Sequence, residues 1–238
     1  VQKHIELVNP ENDPRYYDYW TSYHELMQRR GVTPDLAKAI MRTNSTAIAA
    51  VAVHRGDVDS MICGTFGEFH WHLNYISQIL GEPGDGLHAQ GALSLMILED
   101  GPLFIADTHV HQLPGPEDLA EIAIGAARHV RRFGIEPKVA FCSQSQFGNR
   151  AEGSGKRLRG AIEILDKAPR DFIYEGEMNV DTALDADLRE RVFPNSRLDG
   201  SANVLIFAHS DAASGVRNIL KMKGGGLEVG PILMGMGN

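Results

Sequence analysis

The sequence predicts an α/β fold: a three-layer α/β/α sandwich on a mostly parallel sheet, in two lobes. Two observations carry that expectation. Through the second half, short apolar runs alternate with amphipathic stretches at helical spacing. Such alternation gives parallel strands joined by helical crossovers. No repeat or low-complexity linker interrupts the pattern, so the 238 residues read as one domain with a sizeable core. The expected division places lobe one at about 1–80 plus about 195–238, and lobe two at about 81–194.

Taken in order, the chain opens on a strand-like run, HIELV. A helical stretch follows from Pro34 to Val53, then a strand at SMICG, a helix at Phe69–Leu80, and strands at ALSLMIL and LFIAD. PGPEDLAEIAIGAARHVRRFG carries a complete helix signature. Pro116, Glu117 and Asp118 suit a first turn. Leu119, Ile122, Ala123, Ala126, Val130 and Phe133 form an apolar stripe, Arg128, Arg131 and Arg132 suit the last turns, and Gly134 the stop. KVAFC reads as a buried strand. It leads into a polar loop, SQSQFGNRAEGSG, and a basic helix, KRLRGAIEILDKA. Strand DFIYEG, helix DTALDADLRERV, strand ANVLIFA and helix DAASGVRNILKM complete the alternation. The first residue is Val1 and the last run is the apolar GPILMGMGN, so both ends read as cut from something larger.

The composition, 43% hydrophobic and 23% charged, is that of an ordinary globular protein. A net charge of −8 argues against a nucleic-acid partner, whose phosphates want a basic face. No apolar run reaches the ~18 residues of a membrane span, and no leader is visible. The cytoplasm is the expected compartment. Cys63 and Cys142 each close an apolar run and are expected as buried free thiols.

In open α/β sheets, ligands bind at loops leaving the carboxyl ends of strands. That singles out GTFGEF after Cys63, SQSQFGN after Cys142, AHSDAAS after Phe207, and THVHQLPGP after Asp107. The last holds Asp107, His109 and His111 at alternate positions, which share one face of a strand and offer zinc-type donors. A metal-dependent hydrolase barrel would place this motif on its first strand and needs ~250 residues. Here it falls mid-chain, so a strand end lining a loop is the preferred reading. His70 and His72, two apart on a helix, do not share a face and are expected at a partly exposed helix start. GNRAEGSGKR departs from a phosphate-binding P-loop at the first glycine and at the Ser/Thr position. It remains a candidate anion site, a Ser/Gly-rich loop entering a basic helix. None of Ser143, Ser145, Ser196 or Ser210 stands in a G-x-S-x-G elbow.

Several stretches together resemble the phosphate acetyltransferase family: RGVTPDLAKAIMR, GDVDSMICG, PLFIADTHV, the 116–145 segment, YEGEMNVDTAL and SANVLIF…GPILMGM. A narrower resemblance, VNPENDPRYYDYW…YHELMQRRGVT followed by MICGTFG, is to the branch fused to bacterial multidomain NADP-dependent malic enzymes. The resemblance implies a two-lobed fold that usually dimerises and binds acetyl-CoA. It implies no metal role for Asp107, His109 and His111. The family's Ser-Thr pair and nearby arginine align with Glu68, Phe69 and Asn74, so a carboxylate replaces a hydroxyl and a cation is lost. Both changes oppose binding a phosphate dianion. The family's catalytic Ser-Arg…Asp segment lies beyond the GPIL run, and no catalytic residue is assigned.

The implied reading is a regulatory, acetyl-CoA-binding and oligomerisation domain, at least a dimer, with transferase activity lost. Acetyl-CoA is the expected effector. NADP and a divalent metal would belong to an upstream malic-enzyme part, with no cofactor in this chain. An active acetyltransferase is the alternative, and a metal hydrolase on Asp107 a remote one. The expected acetyl-CoA site comprises Ser143, Ser145, Gln146, Phe147, Gly148 and Asn149, faced by Thr65, Phe66 and Gly67, with Ser196 and Arg197 supplying a cation. Arg150, Lys156 and Arg157 are second choices. On the surface, Arg197 could instead pair with Asp199 or Glu190.

Overall fold

The computed structural model describes residues 6–81 and 88–237. The chain forms two compact units, Val1–Gly84 with Met236–Asn238, and Asp85–Gly235.

The first unit is helical, with no strand among its described residues. Helix α1 (Tyr16–Met27) buries Tyr19, Tyr23 and Met27, four residues apart on one face. Its aromatic residues are indifferent helix formers, and the sequence reading had no helix here. Helix α2 (Pro34–Thr43) starts on the Thr33 hydroxyl, which accepts from the Leu36 amide at 3.3 Å, with Pro34 in the first turn. The continuous helix expected from Pro34 to Val53 is broken at Asn44. That residue is extended, and its Oδ1 accepts from the Ala47 amide at 3.0 Å, starting α3 (Ser45–His54). A polar side chain that caps a new helix outcompetes continuation of the old one. Helix α4 (Phe69–Leu80) falls where expected. These helices close on a core of Tyr23, Met41, Ala47, Ala50, Val51 and Ile79. The expected strand SMICG is irregular backbone, and Cys63 is exposed rather than buried. Of HIELV, Glu6–Val8 are irregular and the rest lies outside the described residues.

The second unit holds the sheet. Strands β1 (Gly91–Leu98) and β2 (Gly101–Ala106) form a hairpin, followed by α5 (Pro116–Arg132), β3 (Lys138–Cys142), α6 (Ser154–Leu165) and β4 (Ile173–Met178). Helices α7 (Val180–Leu184) and α8 (Ala186–Val192) come next, then β5 (Val204–Phe207), α9 (Ser210–Lys223) and β6 (Leu227–Met234). The one helix expected over 181–192 is two, split at Asp185, whose side chain caps the Leu188 amide. The strand order is β4-β3-β5-β2-β1-β6. Strand β3 runs parallel to β4 and β5, and β5 to β2, while β1 is antiparallel to β2 and β6.

Alternate strand residues face opposite layers. Leu93, Phe104, Val139, Phe141, Val204 and Ile206 pack with α5 and α6. Met96, Leu103, Ile105, Ala140, Leu205 and Phe207 pack with Ala183 of α7 and Ala213 of α9. This is the expected three-layer α/β/α sandwich, confined to one unit. Segment 195–235, expected in the first lobe, instead supplies β5, α9 and β6 to this sheet. Parallel pairing with β2 and β3 gives β5 a place at the centre, which sequence order alone does not reveal.

Candidate functional site

Within the second unit, β3 and β4 run parallel and deliver their carboxyl ends side by side. The Ser143–Asn149 loop leaves β3, and Glu177 lies near the end of β4. Glu177 is fully buried. Its Oε1 accepts from Ser145 Oγ at 2.5 Å, from the Gly148 amide at 3.1 Å and from Arg159 Nη1 at 2.6 Å. The second oxygen, Oε2, is buried with no hydrogen-bond partner among the described residues. A buried carboxylate without a cation would be strongly unfavourable, so Arg159 on α6 is its necessary counter-charge.

The loop amides are committed inside this network. Ser143 N–H donates to Met178 O, Phe147 N–H to Glu177 O and Asn149 N–H to Gln146 O. Ser145 N–H donates to Ser143 Oγ and Gln146 N–H to Asn149 Oδ1. Ser143 Oγ also meets Ser154 Oγ at 2.9 Å, tying the loop to the start of α6. Gly155 lies against Ser145 so closely that a Cβ there would come within 2.8 Å of the serine Cβ. The anion expected where this loop enters the basic helix is therefore internal. It is Glu177, placed where a helix start favours negative charge. The side chains of Gln144, Lys156 and Arg150 stay exposed. Arg157 is turned inward, donating through Nη2 to Ala208 O at 2.7 Å.

Ser196 and Arg197 lie elsewhere. Arg197 Nη1 pairs with Asp166 Oδ1 at 2.7 Å, Nη2 approaches Glu175 at 3.6 Å, and the guanidinium stacks 4.6 Å over the Tyr174 ring. Its carboxylate partners are thus neither Asp199 nor Glu190. Tyr174 stands at the start of β4, about 13 Å of strand from the end at Met178. Arg197 and the Ser143–Asn149 loop therefore lie toward opposite ends of β4, and Ser196 Oγ merely caps the Leu198 amide. The Tyr174 hydroxyl also donates to Asp166. Burial pushes the Asp166 carboxyl up, but the bonds from Tyr174 and Arg197 outweigh it and hold it below its ordinary value.

Thr65, Phe66 and Gly67 belong to the first unit, where all three are exposed. Gly64 and Gly67 have φ of 85° and 93°, a conformation that favours glycine. His72 is buried rather than part-exposed. Its Nδ1 lies 2.7 Å from Thr46 Oγ1, and its Nε2 lies 2.8 Å from Phe66 O. Glu68, the residue standing where the resemblance places a hydroxyl, is exposed at the start of α4, and Asn74 faces out and accepts from Gln78.

The Asp107-His109-His111 set is structural. Asp107 is buried, and its two oxygens accept from the amides of Ala92, His109, Val110 and His111. A carboxylate already holding four N–H groups stitches a loop to the hairpin. His109 Nε2 accepts from Arg217, and His111 Nε2 donates to Gln90 O. Among the described residues, no three His, Cys, Asp or Glu side chains are grouped to hold a metal ion. Among the described residues, no helix is long and apolar enough to cross a membrane.

Glu177, Arg159 and His72 were not among the residues the sequence singled out for a site. The one visible signal for the first two was two acids in a strand, YEGEM, beside a basic helix.

The comparisons with known proteins agree with this architecture. The description "Phosphate acetyl/butaryl transferase" matches residues 1–238. The NADP-dependent malic enzyme of Salmonella typhimurium is 44% identical over 98% of this chain, which spans 31% of that relative. The phosphate acetyltransferase of Synechocystis sp. is 30% identical over 98% of this chain, which spans 33% of it. Among solved structures, the EutD phosphotransacetylase from Staphylococcus aureus superposes with a TM-score of 0.83 at 25% identity, over 99% of this chain and 72% of that one. The chain thus spans about a third of the length of the curated relatives it matches.

Proposed function

The chain belongs to the phosphate acetyl/butaryl transferase family, and from that premise we propose that it is the acetyl-CoA-sensing and assembly-forming part of a NADP-dependent malic enzyme, its own transfer chemistry lost. One observation carries the reading. Identity is 44% to a malic enzyme and 30% to a phosphate acetyltransferase, each over 98% of the chain. The exposed carboxylate of Glu68 adds to it, since negative charge in that place opposes a phosphate dianion.

The physical logic is linkage. Acetyl-CoA must bind one state of the assembly better than another, and the attached malate-oxidising part then responds to that preference. A coupling of ~1–3 kcal/mol suffices. Within the first unit the exposed Thr65–Gly67 loop supplies candidate contacts, and within the second unit, taken by itself, the exposed groups of the Ser143–Asn149 loop do. Arg197 and Ser196 leave the set, because the partners of Arg197 lie toward the other end of β4 and Ser196 bonds the neighbouring Leu198 amide. NADP and a divalent metal would act in the rest of the protein.

Titration calorimetry with acetyl-CoA, free CoA and phosphate tests the reading. Micromolar acetyl-CoA binding, about −8 kcal/mol, with no response to phosphate is expected. A thiol-release assay with acetyl-CoA and phosphate is expected to stay at background. Sustained CoA release would instead support a working acetyltransferase.

A further inference from the structure

We infer that His72 is a positioning residue. It fixes the Gly64–Gly67 loop so that Phe66 stands outward as an apolar platform for the acyl and pantetheine end of acyl-CoA. The platform half of this rests on the acetyl-CoA reading above; the pinning half does not.

The argument begins at the imidazole. Its Nε2 faces the Phe66 carbonyl at 2.8 Å, and a carbonyl can only accept. Nε2 therefore carries the proton. In the neutral ring Nδ1 is then an acceptor, and the Thr46 hydroxyl at 2.7 Å supplies its hydrogen. Thr46 lies on α3 and is buried, so the ring ties the loop to the body of the first unit. The loop is shaped to receive it. A Cβ at Gly67 would come 3.1 Å from His72 Nε2, and one at Gly64 3.9 Å from Cδ2. With its carbonyl drawn inward, Phe66 turns its side chain out and leaves it 76% exposed. Ile62, two residues before Gly64, is 98% exposed, and the half-exposed Trp71 meets the His72 ring edge-on. Ile62, Phe66 and Trp71 thus bring three exposed large apolar side chains to one short stretch, and grouped apolar surface of this kind marks ligand and partner sites. Acyl-CoA presents a matching apolar arm beside its thioester.

The test uses the full chain and two readouts. Hydrogen exchange over residues 60–72 reports the pin without any ligand. Acetyl-CoA titration reports the platform. His72→Leu is expected to raise exchange at the loop amides at least tenfold and to weaken acetyl-CoA about tenfold. His72→Gln, which keeps a donor and an acceptor, should recover most of both. Gly67→Ala attacks the same contact from the loop side and should reproduce the leucine variant, which guards against a fold defect at position 72. Phe66→Ala should weaken acetyl-CoA while leaving exchange unchanged. Unaltered exchange in both His72→Leu and Gly67→Ala overturns the pin. Raised exchange with acetyl-CoA affinity unchanged in His72→Leu and Phe66→Ala overturns the platform. A wild-type chain that binds no acetyl-CoA overturns the platform together with the function proposed above, and exchange alone still judges the pin.

Discussion

The loop at Gly64–Gly67 and the loop at Ser143–Asn149 are both short, yet they are held in opposite ways. The first hangs on one side chain, His72, through a single hydrogen bond to a carbonyl. The second surrounds a buried charge, Glu177, that gathers a hydroxyl, an amide and a guanidinium. Such a pin contributes about one ordinary hydrogen bond, ~0.5–1.5 kcal/mol. A buried ion with its partners is costly to disrupt, because whatever remains is an uncompensated charge. The difference teaches where each loop's freedom lies. The pinned loop can be released cheaply and turns apolar groups to solvent. The braced loop has nearly all its amides spoken for and belongs to the fold as much as to any site.

Four changes would break or sharpen that contrast. The largest effect is expected from Glu177→Ala, which strands Arg159, Ser145 Oγ and the Gly148 amide. A loss of about 3–5 kcal/mol in urea denaturation of the second unit is expected; a loss under 1 kcal/mol would mean the network is not a brace. Next comes Gly155→Ala, which drives a methyl against Ser145. Overpacking there should cost about 1–3 kcal/mol, read from the same denaturation curves. His72→Leu should cost about 1–2 kcal/mol, and only in the first unit; a melt showing equal losses in both units would erase the distinction. The smallest is Arg197→Ala. Its ion pair with Asp166 is nearly half exposed on both sides, so about 0.5–1 kcal/mol is expected, with acetyl-CoA affinity unchanged.

The pH dependence of that last pair has a definite sign. Asp166 is held below its ordinary 3.8 in the folded chain. Its contribution is therefore complete above the unfolded value and lost as the pH falls through the folded one. The stability gap between wild type and Arg197→Ala should narrow only below about pH 4. A gap that already closes by pH 6 would point to a different partner.

Much of this fold was legible because periodicity reports burial. Helix α5, with Pro116 in front and Gly134 behind, and strands KVAFC and ALSLMIL carry their signatures locally. What escaped was decided elsewhere. SMICG has strand-like residues but no partner strand, since its unit is helical. Asn44 and Asp185 each end one helix and begin another, which an apolar stripe running through them hides. Strand β6 read only as an apolar tail, because its place on the sheet edge comes from pairing with β1. For the candidate site, the Ser143–Asn149 loop was visible from its position after a strand. The carboxylate that shapes it was not, because Glu177 and Ser145 meet across 32 residues of sequence. Arg197 was chosen for its charge, and charge does not say which end of the strands a guanidinium will reach.

The two cysteines make the chain a ready-made single-dye reagent. Cys142 is buried in the sheet, and burial pushes its thiol far up, out of reach of ordinary electrophiles. Cys63 is exposed in the run leading to Gly64, and partial desolvation raises its thiol as well, so mildly alkaline buffer will speed its reaction. A maleimide fluorophore added to the unaltered chain should give one adduct by intact mass, and two only after unfolding. The dye would sit beside the loop that His72 holds, so anisotropy and single-molecule distances could follow that region without removing or adding a residue.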